Sequence, residues 1–293
     1  MALEMGAEKQ GEEMKFGIMF ANTGPFVDGP PAAGLAQAAE AAGFDSLWTV
    51  EHVVVPRGYA SPYPYDESGK MPGGREDFDI PDPLVWLSYV AAATKSIKLA
   101  TGILIVPQRN PLVTAKAVAT LDKLSGGRAV LGVGVGWLEE EFNALGVPFA
   151  GRGRRLDDYI RAFRALWTED CPSHDGEFVS FSDCYSRPQP VQGSVPIVVG
   201  GHSERAARRA GELGDGFFPA LGDIDKLKHL LGIMRESAAA AGRDPAAIEI
   251  TANGGPPDHL ARMAEIGVSR VIFPPMPPDR LAQFGEEVIA KFS

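Results

Sequence analysis

Glu51 and His52 stand side by side at the end of DSLWTVEHVVVP, an otherwise apolar run over residues 45–56. An imidazole titrates near neutral pH and suits proton transfer. A second pattern is GVGVG at 132–136, with glycine at every other position. On a strand, Gly132, Gly134 and Gly136 face one side and Leu131, Val133 and Val135 the other. The glycine side leaves empty space, used either for tight packing or for a flat ring. A third is VVGGHSERAARRA, where Gly200-Gly201 precedes Ser203 and a helical pattern. Ser203 suits an N-cap, and glycine-rich turns into helices favour anions. His202 is a second candidate imidazole. His174, His229 and His259 read as solvated. No H-x-H occurs, and no set of histidines and carboxylates converges as a metal centre needs, so no metal site is expected. No lysine ends a strand, which excludes Schiff-base chemistry.

These residues acquire meaning from the elements that carry them. EAAGFDSLW, AGELGDGFF and MAEIGVSRVIF repeat one unit: a helix end, a glycine, then a short apolar strand. Glycine suits the left-handed position that stops a helix. Strands are expected over 15–21, 46–51, 98–103, 129–135, 196–200, 216–219, 248–252 and 270–273. Helical patterns lie between and after them. Eight such units in one chain point to a single α/β domain, a (β/α)8 TIM barrel over 15–293. An open doubly wound sheet would want G-x-G-x-x-G after strand one, and MFANTGPFVDG lacks it. Insertions are expected after strand two (53–80) and strand four (145–195, with a hairpin at SHDGEFVSF). In a barrel the strand C-termini carry the active site. That places Glu51-His52, Thr101-Gly102-Ile103, Val135-Gly136-Trp137 and Gly200-Gly201-His202 around one mouth. The 53–80 loop, with Tyr59, Tyr63, Tyr65 and Phe78, reads as a lid, a structural excursion or a dimer arm.

The chain has 293 residues and a formal net charge of −10, which disfavours nucleic-acid binding. No apolar stretch nears the roughly 20 residues of a membrane span. Residues 1–14 have no apolar run and read as a flexible extension. Two cysteines, Cys171 and Cys184, fit a reducing cytoplasm.

The stretches AEAAGFDSLWTVEH, ATGILIVPQRNPLVTAKAVATLDKLSGGRAVLGVGVGWLEEEF, RGRRLDDYIRAFRALWT, GEFVSF and PIVVGG followed by LGDGFFP are similar to the luciferase-like monooxygenase superfamily. The similarity spans about residues 14–291, and within the superfamily the chain resembles the F420-dependent oxidoreductases. This resemblance implies a barrel of the bacterial luciferase-like type, commonly a homodimer. It implies hydride transfer between the deazaflavin coenzyme F420 and a small organic substrate. The alternative cofactor is FMN, used with O2 and a separate flavin reductase; a third reading is a flavin-binding protein without turnover. His52 then corresponds to the proton-transfer histidine near the reactive ring. Glu51 corresponds to the acid contacting that ring, where many deazaflavin-binding relatives carry Asp. Gly102-Ile103 corresponds to a non-prolyl cis peptide behind the ring. Val135-Gly136 and Gly200-Gly201 correspond to the phosphate site. Arg152, Arg154 and Arg155 either approach the cofactor tail or begin a solvated helix.

Overall fold

The computed structural model describes residues 14–71 and 74–292. Among them eight parallel strands follow in chain order: β1 (Lys15–Met19), β2 (Ser46–Thr49), β3 (Lys98–Thr101), β4 (Ala129–Gly134), β5 (Ile197–Gly200), β6 (Gly216–Phe218), β7 (Glu249–Asn253) and β8 (Arg270–Phe273). Each pairs with the next, and β1 pairs with β8 through Phe16 opposite Val271, so the sheet closes on itself. The helices are α1 (Gly29–Ala41), α2 (Pro83–Ala93), α3 (Pro111–Ser125), α4 (Glu139–Ala144), α5 (Arg152–Thr168), α6 (Glu204–Leu213), α7 (Ile224–Ala240), α8 (Pro257–Glu265) and α9 (Pro278–Glu287). The expected α/β barrel is therefore the observed one, with its insertions after β2 and β4.

Local chemistry explains the helix boundaries. Asp82 accepts hydrogen bonds from Leu84 N and Val85 N, and Asn110 from Leu112 N and Val113 N. Both caps are followed by proline, whose missing N–H costs nothing in a first turn. Ser203 caps α6 through Ala206 N, as its place in the sequence suggests. Gly126, at φ 71°, ends α3 in the left-handed conformation.

The barrel interior is filled in layers. At the N-terminal end Arg270 is buried; it donates to Asp45 at 2.9 Å and to Glu249 at 3.1 Å, and lies over the Trp48 ring. Above it, Trp48, Ala100, Val198, Phe218 and Ile272 pack as one cluster. Trp48 Nε1 donates to Ser46 Oγ at 2.8 Å, so the indole is buried without an orphaned donor. Gly17 makes this layer possible: a Cβ there would lie 2.7 Å from Ser46 Oγ and 2.9 Å from Trp48 Nε1.

The extension expected over 1–14 lies outside the described residues except for Met14. Its side chain is buried, and its N–H donates to Phe292 O at 3.2 Å. No helix among the described residues is long and apolar enough to cross a membrane.

Candidate active site

The mouth is organised by a break in β3. After Thr101 the chain turns through a cis Gly102-Ile103 peptide, the bond that the family resemblance implies there. It then rejoins the sheet as Leu104 opposite Val133 and Ile105 opposite Gly134. Ile103 fills the space left by the glycines. A Cβ at Gly134 would overlap its Cδ1 and sit 3.0 Å from its Cγ1; one at Gly200 would sit 2.5 Å from its Cγ2. A Cβ at Gly132 would overlap the Thr101 carbonyl oxygen. The alternation expected of GVGVG is therefore present, and its empty side holds a side chain of the protein itself. Ile103 itself is partly exposed at the mouth.

Glu51 faces a different way from the one its position suggests. Its carboxylate is 1% exposed. Oε2 accepts from Ile105 N at 2.6 Å, and Oε1 accepts from Arg109 Nε at 2.7 Å and from Arg109 Nη2. Burial pushes its pKa up, opposed by the Arg109 guanidinium. Both oxygens already accept hydrogen bonds within the protein, where the resemblance implied a ring contact for Glu51. It anchors the segment that carries Ile103 instead. Arg109 also donates to Asp82, the cap of α2, at 2.8 Å. Asp82 was readable as the cap before Pro83, but no local signal marked Arg109 or its pairing with Glu51.

His52 stays at the site. Its Nδ1 lies 2.9 Å from Glu141 Oε2, and its ring meets Trp137 edge-on at 5.7 Å. Nε2 has no hydrogen-bond partner among the described residues. Glu141, on α4, is fully buried; Oε1 accepts from Val53 N at 2.6 Å and Val54 N at 3.3 Å. Glu141 closes a run of three glutamates in the first turn of α4. It lies three residues after Leu138 and beside Phe142, on the apolar face of α4, and that spacing was the available signal. A cavity of about 140 Å³ lies along His52, Val53, Val54, Val55, Glu76, Phe78 and Ile80. None of the mouth glycines borders it.

The loop after β2 folds across the mouth. Its neighbour Glu140 accepts from Ala60 N at 2.7 Å, Ser61 N at 3.1 Å and Ser61 Oγ at 2.7 Å. The Ser61 hydroxyl is the main cause that holds the Glu140 carboxyl down at about 2. Tyr59, Met71 and Leu138 form a small core beneath the loop, with Tyr63, Phe78 and Trp137 against it. Ring contacts run from His52 to Trp137, Tyr63, Tyr65 and then His202, the last pair 4.9 Å apart. This line joins the ends of β2 and β5. Burial raises the Tyr63 phenol to about 12, so its hydroxyl is a donor at any working pH.

The anion side is built around β5. Gly200 is paired in the sheet, and Gly201 N donates to Phe218 O at 3.1 Å, so neither glycine is a free donor as expected of them. The uncommitted donors start at His202 and run into the first turn of α6. His202 Nδ1 is buried with no partner among the described residues, and burial, aided by Lys226, lowers its pKa. Gly136, at φ 75°, has Ile105 and Phe142 where a Cβ would point; its carbonyl accepts from Arg152 Nε at 3.2 Å. Val135 beside it is partly buried against the core. Of the three arginines, Arg152 therefore reaches this side, Arg154 pairs with Glu177, and Arg155 is buried on Pro148 O. Two non-glycine residues at strand ends, Phe20 and Ala220, hold positive φ of 59° and 55°. An apolar platform at Ile103, with His202 and the α6 amides to one side, fits a flat ring that carries an anionic tail.

Other expectations resolve away from the mouth. The hairpin pairs His174 with Phe181, and His174 is not solvated: its Nε2 lies 2.7 Å from Asp158 on α5. His259 Nε2 likewise meets Gly222 O at 2.8 Å, while His229 is exposed. Cys171 and Cys184 are both free thiols. No group of metal-ligating side chains occurs among the described residues.

Comparison with known proteins agrees with this architecture. An F420-dependent glucose-6-phosphate dehydrogenase of Kineococcus radiotolerans is 33% identical over 252 residues, 83% of this chain and 68% of that protein. An FMNH2-dependent dimethylsulfone monooxygenase of Pseudomonas putida is 37% identical over 155 residues, 52% of this chain and 42% of that one. The coenzyme F420-dependent tetrahydromethanopterin reductase of Methanopyrus kandleri superposes with a TM-score of 0.78 at 19% identity, over 96% of this chain and 100% of that one. The luciferase-like monooxygenase family, a family of oxidoreductases and monooxygenases with both F420 and FMN members, matches residues 14–256, and the chain belongs to it.

Proposed function

We propose that this chain is an F420-dependent oxidoreductase acting on a small organic substrate, with His52 moving the substrate proton. The observation that carries the proposal is the geometry of His52 at the barrel mouth: one ring nitrogen is held by buried Glu141 and the other has no partner among the described residues. The share of the chain aligned with the F420-dependent relative supports the choice of cofactor. Bound at the mouth, the deazaflavin would supply a ring carbon that gives or takes a hydride. Ile103 would support the ring from below. The α6 amides, His202 and Arg152 would hold the anionic tail. His52 Nε2 would take the hydroxyl proton of an alcohol as its carbon loses hydride, or return it in the reverse direction. The loop carrying Tyr59, Tyr63 and Tyr65 would exclude water.

Reduced FMN is the second reading, favoured by the monooxygenase relative, and it would need a separate flavin reductase. We further propose a homodimer, because α2 and α3 expose Val85, Tyr89 and Val113. Two free thiols suit the cytoplasm. Paired calorimetric titrations with F420 and FMN test the cofactor. F420 should bind at least about tenfold tighter, a difference of roughly 1.4 kcal/mol. His52→Ala should keep that affinity and lose about 10²–10⁴-fold in turnover. Tight FMN binding with weak F420 binding would overturn the reading.

A further inference from the structure

We infer that Glu141 is a positioning residue that fixes the tautomer of His52, so that Nδ1 carries the proton and Nε2 is the basic nitrogen at the mouth. The inference rests on His52 being the proton-transfer group of the proposed reaction. Its geometry stands apart from the cofactor. An ionised carboxylate only accepts hydrogen bonds. Glu141 Oε1 is occupied by Val53 N, Val54 N and, at 3.5 Å, Gln108 Nε2. Oε2 is left for His52 Nδ1 at 2.9 Å, and that contact requires Nδ1 to donate. The side chain is fully buried, so no water competes for it. Other charged groups near His52 do not alter this assignment. Glu51 is tied to Arg109, and Glu76 lies across the cavity beside His52. Among the described residues no lysine or arginine pairs with Glu141. His52 is therefore the group that balances its charge when protonated.

The same carboxylate holds the backbone of the two residues that follow His52. This makes Glu141→Gln informative. The amide oxygen can serve Val53 N and Val54 N, and the amide NH2 must then face Nδ1. Nδ1 becomes an acceptor, and the proton moves to Nε2. Histidine-selective 15N spectra of the cofactor-free chain read this directly. The chain has five histidines, and His52→Ala identifies the signal of interest. We expect wild type and Glu141→Asp to show protonated Nδ1 with unprotonated Nε2, and Glu141→Gln to show the reverse. Turnover should fall by about 10²–10⁴-fold in Glu141→Gln with cofactor affinity unchanged. Glu141→Asp should recover part of that loss. Protonated Nε2 in the neutral wild-type imidazole, or an unchanged tautomer in folded Glu141→Gln, would overturn the inference. Should Glu141→Gln fail to fold, the wild-type and Glu141→Asp spectra decide it alone. A reversed tautomer in a chain that turns over no F420 substrate would keep the inference and remove the function proposed above.

Discussion

Gly134→Ala tests whether Ile103 is seated by the glycines of β4. The new Cβ would overlap Ile103 Cδ1 and lie 3.0 Å from Cγ1. Carbon atoms settle at about 3.5–4.0 Å, so Cγ1 must retreat by roughly 0.5–1 Å and Cδ1 by more. Retreat is limited, because the Gly200 backbone closes on Cγ2 from the other side. Overpacking of this kind costs about 1–3 kcal/mol. Loss of backbone freedom in the unfolded chain returns about 0.4–1 kcal/mol. The net destabilisation should be about 1–2 kcal/mol. Ile103→Val removes Cδ1 and by itself costs about 0.5–1.5 kcal/mol. In that background only the 3.0 Å approach to Cγ1 remains, so Gly134→Ala should cost about half as much, giving a coupling of about 1 kcal/mol in a double-mutant cycle. Urea unfolding of the four proteins measures it, provided the slopes agree. Gly132→Ala is the control. Its Cβ meets the Thr101 carbonyl, which Ile103→Val does not move, so its cost should persist in both backgrounds. A Gly134–Ile103 coupling within about 0.5 kcal/mol of zero would refute the seating of Ile103.

Two further predictions follow from the insertions. Asp158 accepts from Phe178 N at 2.6 Å, Val179 N at 3.2 Å and His174 Nε2 at 2.7 Å. Asp158→Ala orphans these donors at about 1–3 kcal/mol for each buried group, so hydrogen exchange at Phe178 and Val179 should speed up at least tenfold; unchanged protection would count against the anchor. The Glu140 carboxyl is lowered from 4.5 to about 2, chiefly by the Ser61 hydroxyl. A depressed acid stabilises its contacts above the unfolded value and loses that contribution as pH falls through the folded one. Trp137 emission should therefore hold steady down to about pH 4.5 and change between there and about pH 2, and Glu140→Gln should flatten that change.

The barrel was legible because its strands are buried on both faces and read as short apolar runs after helix-stopping glycines. Ser203 was legible because a cap is local chemistry; the hairpin was legible as such, but its turn falls at Glu177-Phe178, with Asp175 paired to Ser180 in the strand. The contents of the mouth were not. Nothing in GVGVG tells that the space beside it belongs to Ile103, which arrives from another strand. Glu51 could be placed at a strand end, yet its partner Arg109 is 58 residues away, and pairing at that separation leaves no pattern. His174 and His259 were misread for the same reason: each bonds across a fold contact with Asp158 or Gly222. Glu141 is the instructive case. Its place three residues after Leu138 was readable, but its partner His52 lies 89 residues away.

The two glutamates that grip the loop after β2 belong to α4, which enters the chain about 80 residues later. The loop is thus not a self-contained cassette. Exchanging residues 53–61 for those of a relative would leave Glu140 and Glu141 facing a foreign backbone, and His52, held by the same helix, would shift with the graft. Redesign of specificity in this chain therefore has to move loop and helix as a single unit.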